Sequence, residues 1–336
     1  MGSSEQELIS RLMERLPPPG AGVRVGSGDD AAVVEPRSRA SATTIDAIVE
    51  GVHFTLPEFP LEAVGRKAMA ASLSDLAAMG AEAGEAYVAL GAPEGLDPDR
   101  LLAVGDGLAE AAERHGVAVV GGDVTRAPGL SLCVACVGYE PPGGRLITRA
   151  GARPGDALVV TGELGGGAAA LRLLADGSGA DAEPGESAPS TLLARQLDPS
   201  PRLAEGRALA AAGARAMIDI SDGLGIDAGN LARASGVAIS IETEAVPLAE
   251  GAAAVAGGEG AARELALGGG EDFELLASLP PERLPDAAEA VAQAGGRLTR
   301  IGAVGEGEPG TVSDDQGRRI ERSGFDHMRG SRAGSG

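Results

Sequence analysis

The 336-residue chain carries 49 acidic and 28 basic side chains, a formal net charge of −21, and so lacks the basic stripe needed to grip nucleic acid by its phosphates. Hydrophobic residues make up 43 % of it, yet no run of about eighteen apolar residues occurs, which speaks against a membrane-spanning helix. With no basic segment leading into an apolar run at its start, the chain reads as a soluble cytoplasmic protein of two ordinary-sized domains.

Apolar positions at helical spacing predict a helix over residues 5–16, EQELISRLMERL, ended by the prolines that follow. Short β-like runs come next: AAVVEP, SATTIDAIV, EAYVALGAP, VAVVGGD and LSLCVACVGYE. Helical patterns lie between them, over about 60–80 and 97–115. This mixed α/β half spans 1–144 and closes at PPGG. The only two cysteines, Cys133 and Cys136, sit three apart on a predicted strand. They should therefore face opposite sides, as strand cysteines and not as a redox pair.

The second α/β half, 145–330, opens with PGDALVVTGELGGGAAALRLL, a strand, a glycine-rich turn and a helix. That turn does not fit GxGxxG and serves either a cofactor or a simple strand-to-helix connection. Residues 177–190, GSGADAEPGESAPS, are polar and rich in breakers, which predicts a loop. Further strands are expected at RAMIDIS, GVAISIE, DFELLASLP and GRLTRIGAV, with helices between. Residues 331–336 read as a disordered tail.

Aspartates recur at strand ends and turns beside Gly, Ser or Thr: Asp29 and Asp30 in GSGDD, Asp46 in TTIDAIVEGVHF, Asp75 in SLSDLAAMGA, Asp123 in VVGGDVTR, and Asp219 with Asp222 in IDISDGL. Each alone also suits a turn former or a helix cap, Asp75 and Asp222 especially. As ligands, short carboxylates with hydroxyl and carbonyl oxygens suit Mg²⁺ better than zinc. Should several converge, each like-charge pair at about 4 Å costs on the order of 4 kcal/mol at an effective dielectric of about 20, a cost that bound cations relieve. The phosphate loop GxxxxGK[ST], the HRD and DFG kinase signatures, GxSxG and HExxH are all missing from the sequence.

GSGDDAAVV, IDAIVEGVHF, SLSDLAAMGA, GGDVTR, TRAGARPGD, IDISDGL and GGGEDFEL, in this order from about residue 25 to 327, closely resemble the thiamine-monophosphate kinase family. The family lies within a larger AIR synthetase-like group of ATP-using enzymes. The resemblance implies an α/β (α+β) two-domain AIR synthetase-like fold, with an N-terminal domain that forms a homodimer through β-structure. It implies ATP and thiamine monophosphate as substrates, several Mg²⁺ ions, and direct phosphoryl transfer without a covalent nucleophile. By motif match, Asp30, Thr44, Asp46, Asp75, Asp123, Asp219 and Asp222 correspond to the Mg²⁺ set. Gly122, Asp123, Arg149 and Ser221 correspond to the nucleotide contacts, and His53, Glu271 and Phe325 to the substrate contacts. Ile45 stands where the family often has a hydroxyl residue, so only its carbonyl would serve there.

Within the same group, selenophosphate synthetase uses a reactive cysteine or selenocysteine near the N-terminus, and the hydrogenase-maturation dehydratase a C-terminal cysteine. This chain has neither. AIR synthetase itself and a catalytically silent nucleotide-binding protein are the remaining alternatives.

Overall fold

The computed structural model describes residues 5–18, 20, 22–27, 31–177 and 188–320. They form two compact units, one of Met1–Leu76, Ala81–Pro142 and Leu197–Pro199, the other of Ala77–Gly80, Gly143–Gln196 and Ser200–Gly336. No helix among the described residues is long and apolar enough to cross a membrane.

The first unit begins with α1 (Glu5–Met13), shorter than its periodicity predicts because the chain turns before Pro17. The AAVVEP run yields only β2 (Val33–Val34), paired antiparallel with the unforeseen β1 (Val23–Val25). Next come β3 (Ser41–Val49), α2 (Leu61–Ala78), β4 (Glu82–Ala92), α3 (Pro98–His115), β5 (Ala118–Arg126) and β6 (Ser131–Tyr139). The last four strands make one sheet in the order β3-β6-β4-β5. β4 and β5 run parallel, since α3 carries the chain back between them, while β6 is antiparallel to both its neighbours. α3 is delimited by local chemistry. Pro98 opens it, the Asp97 carboxylate accepts the Asp99 N–H at 2.9 Å, and Gly116 closes it at φ 66°.

Strand alternation sorts β3 into an inner row, Ala42, Thr44, Asp46 and Ile48, and an outer row, Thr43, Ile45, Ala47 and Val49. On β6, Cys136 is buried and Cys133 half-buried on the other face, as their spacing requires. Burial, followed by the Asp46 and Asp75 carboxylates, pushes the Cys136 thiol up to about 12.

The second unit contains β7 (Ala157–Thr161), α4 (Gly166–Ala175), α5 (Ala188–Leu197), α6 (Leu203–Ala212), β8 (Ala216–Ile220), α7 (Leu224–Ser235), β9 (Ala238–Ile241), α8 (Ala252–Ala256), α9 (Glu259–Gly268), β10 (Glu274–Leu279), α10 (Leu284–Gln293), β11 (Leu298–Gly305) and β12 (Val312–Asp314). Its sheet has the order β12-β9-β11-β7-β10-β8 and is antiparallel except for the β12–β9 pair. β7, β8 and β10 are buried along their whole length, including the polar Thr161, Asp219, Glu274 and Ser278. The predicted loop 177–190 lies largely outside the described residues, but its end is helical. Leu192 and, beside Ala169, Ala249, Ala252 and Ala262, the packing it finds fix α5 from Ala188 onward.

Helices α2 and α3 touch where neither has room for a side chain. A Cβ on Gly107 would stand 1.9 Å from the Glu62 carbonyl oxygen, and one on Gly65 2.2 Å from that of Val104. A solvent-facing helical glycine normally gains about 1 kcal/mol on replacement by alanine. Gly107→Ala should do the reverse and lower stability by about 1–3 kcal/mol, because the obstructing atom is backbone. Urea unfolding monitored by circular dichroism measures the sign, and a stabilised variant would refute the backbone contact.

Candidate functional site

In the first unit, β3 presents Thr44 and Asp46 on its inner face, and α2 brings Asp75 against them. The Thr44 hydroxyl donates to Asp75 Oδ2. Ser72, one turn earlier on α2, donates to the Val134 carbonyl at 2.8 Å. Asp46 Oδ2 is buried and has no hydrogen-bond partner among the described residues. Burial first, then the charge of Asp75 and a shared hydrogen bond with it, push Asp46 up to about 6, while Ser72 pulls the other way. Two carboxylates and a hydroxyl thus gather on one wall with oxygen as their only donor atom.

Asp123 does not join them. The register aligns Asp46, Val134, Val88 and Gly122 in one row, and Ala47, Cys133, Ala89 and Asp123 in the next. Asp123 therefore points to the opposite face, three strands away, or roughly 14 Å at ordinary strand spacing. At Gly122, a Cβ would lie 2.1 Å from the Val88 carbonyl oxygen, so the pairing of β5 with β4 itself demands glycine there. His53 sits in the turn after β3, where its Nδ1 accepts the Val49 N–H at 3.1 Å and its carbonyl accepts from Lys67 Nζ at 2.8 Å. With Nδ1 an acceptor, the neutral ring carries its proton on Nε2. Asp29, Asp30 and Phe325 lie outside the described residues.

In the second unit, Asp219 lies on β8 and is buried, with Ser221 and Asp222 in the turn that leads to α7. Asp222 is not the cap of that helix. Gly223 occupies the N-cap position, and no side chain caps there. The turn is held instead by Asp227, 2 % exposed, whose Oδ2 accepts the N–H groups of Ser221 at 3.1 Å and Asp222 at 3.0 Å. Burial, then Asp219 and Asp222, push Asp227 up to about 8. Sequence reasoning passed over Asp227, although a carboxylate inside the apolar stretch LGIDAGNL was the available signal. Arg149 is exposed. Its carbonyl accepts from Ser235 Oγ at 2.9 Å, and its guanidinium bonds to no described residue.

The GGGEDFEL segment docks on the same turn through its backbone. Glu271 N–H donates to the Ser221 carbonyl at 2.9 Å and Phe273 N–H to that of Ile220 at 3.0 Å. Both residues have left-handed φ, 64° and 51°. Gly270 allows the approach, since a Cβ there would lie 2.3 Å from the Ser221 carbonyl oxygen. Each acid of the motif has separate partners. Gln196 Nε2 donates to Glu271 Oε2 at 3.0 Å. Asp272 accepts the Gly165 and Gly167 N–H groups, both at 2.9 Å, and so caps the start of α4; burial pushes it up to about 7 against those bonds. Glu274, fully buried, takes a bidentate ion pair from Arg202 at 2.6 and 2.8 Å, a second from Arg195 at 3.2 Å, and the Thr161 hydroxyl at 2.7 Å. Among the described residues, no three His, Cys, Asp or Glu side chains gather as a ready ligand set for a metal.

The model of the AIR synthase related protein N-terminal domain matches residues 28–139, and that of the C-terminal domain residues 153–315. This two-domain class is what the mixed sheets and their aspartate turns define. A thiamine-monophosphate kinase of Salmonella typhimurium is 36% identical over 331 residues, spanning 98% of this chain and 99% of its own. The crystal structure of thiamine-monophosphate kinase from Stenotrophomonas maltophilia shares 36% identity with a TM-score of 0.84, covering 95% of this chain and 99% of that one. AaThiL complexed with AMPPCP and TMP shares 36% identity with a TM-score of 0.76, covering 89% and 91%. The chain belongs to the thiamine-monophosphate kinase family.

The raised carboxyl of Asp46 has a measurable consequence in chelator-treated protein. Moving from the ordinary 3.8 to about 6 in the fold favours the neutral form there. The associated stability is complete below the ordinary value and is lost as pH rises through the folded one. The thermal midpoint of the native chain should therefore fall, relative to Asp46→Asn, between about pH 4 and pH 7. Parallel midpoint curves for the two proteins would show that Asp46 is not held in a desolvated, like-charged setting.

Proposed function

We infer that this chain is an ATP-dependent kinase that moves the γ-phosphoryl group of ATP onto the phosphate of thiamine monophosphate, giving thiamine diphosphate and ADP. The observation that carries this reading is the likeness, along nearly the whole chain, to thiamine-monophosphate kinases, one of them solved with AMPPCP and TMP. The acceptor is a phosphate oxygen, already largely ionised near neutral pH, so a strong general base is unnecessary. The protein's work is to position two anions and to stabilise the charge that develops between them.

The first-unit wall fits a hard cation. Thr44, Asp46 and Asp75 offer only oxygen, and the buried Asp46 Oδ2 lacks a partner among the described residues. Bound Mg²⁺ would supply neutralisation and orientation of the phosphates. By resemblance, Thr44, Asp46 and Asp75 in the first unit and Asp219 and Asp222 in the second belong to the Mg²⁺ set. Asp30 and Asp123 join on resemblance, Asp123 from the opposite face of its sheet. Nucleotide contacts fall to the backbone at Gly122, to Asp123, to the exposed Arg149 guanidinium and to the Ser221 hydroxyl. His53, Glu271 and Phe325 take the thiamine end. Asp227 and Gly270 act on the site only through the turn they fix.

A homodimer in the cytoplasm completes the reading. The outer face of the first unit's sheet leaves Ile45 67 % exposed beside Val49, Ala135 and Val137. A second copy of the chain would cover this apolar strip.

The deciding experiment incubates the purified protein with ATP, Mg²⁺ and thiamine monophosphate and separates the products. Thiamine diphosphate should form, with label from γ-labelled ATP in its terminal phosphate. Formation of ADP without thiamine diphosphate would overturn the assignment. Asp75→Asn should retain the circular dichroism spectrum and lose about a hundredfold or more in kcat; near-native turnover at limiting Mg²⁺ would remove Asp75 from the metal set. Phe325→Ala should raise the KM for thiamine monophosphate about ten- to a hundredfold, by analogy with base stacking, and leave that for ATP nearly unchanged. Equal shifts in both constants would make Phe325 an anchor of the fold.

A further inference from the structure

Gln196 sits at the end of α5, 1 % exposed, with its amide between two oxygen acceptors. Nε2 donates to Glu271 Oε2 at 3.0 Å and to the Gly167 carbonyl at 3.1 Å. An amide nitrogen has two hydrogens and no acceptor capacity, so these partners fix which end of the side chain faces Glu271. The backbone of Glu271 is equally constrained. It is left-handed, its N–H is bonded to Ser221, and a Cβ on Gly167 would lie 2.6 Å from its carbonyl oxygen. With the main chain held on both sides, the remaining freedom of Glu271 is in its side chain, and Gln196 holds the end of it.

We propose that Gln196 is a positioning residue that sets selectivity for a cationic ring in the phosphorylated acceptor, by keeping the Glu271 carboxylate aimed where that ring binds. The inference rests on the reading that Glu271 meets the thiamine end of the substrate. A neutral amide is suited to this task. It donates to the carboxylate without cancelling its charge, as an arginine or lysine in the same place would. A positive heterocycle gains from that negative charge, and a neutral one gains no comparable advantage.

The test uses three variants of the full chain and two acceptors, thiamine monophosphate and deazathiamine monophosphate, whose ring is neutral. Gln196→Met keeps length and apolar volume but removes both donors. Gln196→Asn keeps the amide on a side chain too short to reach the same partners. Glu271→Gln removes the charge itself. For Gln196→Met, the KM for thiamine monophosphate should rise about tenfold, with kcat and the KM for ATP within about twofold, the pattern of lost ground-state binding. Preference for the charged ring over the neutral one should drop by a similar factor, and a merely structural defect would not move that ratio. Gln196→Asn, the smaller perturbation of the fold, should lower the same ratio, and this readout stands should Gln196→Met fail to fold. If Glu271→Gln erases the preference while both Gln196 variants keep it, Gln196 does not position the carboxylate and the proposal is overturned. If Glu271→Gln keeps the preference, Glu271 is not the substrate contact, and the reading beneath the proposal fails first.

Discussion

Asp46 and Asp75 are pressed together on the inner wall of a unit whose chain already carries a net charge of −21. A fold optimised for stability alone would avoid this, since desolvation and like charge both disfavour the ionised pair. Everything around the pair accepts the cost. β3 turns its polar row inward, Thr44 gives its hydroxyl to Asp75, and Ser72 is placed where it eases the charge on Asp46. Without a cation the wall favours a proton. A proton on Asp46 relieves both its burial and its repulsion with Asp75.

The second unit solves the opposite problem, holding a polar turn steady where it leaves a buried strand. Asp227 receives the two N–H groups of the Ser221–Asp222 turn, and the backbone of Glu271 closes on Ser221 from the other side. Farther along the same segment, Asp272 is spent on the start of α4 and Glu274 on Arg195 and Arg202. Removing an arginine from Glu274 would leave a fully buried carboxylate short of charge, the situation in which breaking an ion pair is most damaging. One short acidic motif thus joins β8, β10, α4 and α5, and its first acid is held by Gln196 of α5.

What the sequence made legible follows from periodicity and local chemistry. SATTIDAIV coincides with β3, and Asp97, Pro98 and Gly116 mark the ends of α3 by residue type alone. α5 was hidden because its start shares the polar, proline-bearing composition of the preceding stretch, and its reason to be helical lies in distant alanines. The aspartates were visible as a set, but their grouping was not. Whether Asp123 shares a face with Asp46 depends on the register of three strand pairings, which no local pattern encodes. The supporting residues, Asp227, Gln196 and Glu274, were missed because they act through contacts distant in the chain or through the backbone of a turn.

Lys67 supports the His53 turn from α2, with its ammonium near the Phe59 ring and its side chain sealed at 1 % exposure. It is also the only lysine in the sequence. The folded protein consequently offers solvent no side-chain amine at all. Acylating reagents, reducing sugars and amine-coupling surfaces find no lysine handle on it, and any enzyme that modifies lysine must wait for the chain to open. Every other fixed cation is an arginine, which keeps its charge at any pH the fold can survive. The positive side of this protein's electrostatics is therefore closed to regulation by acetylation.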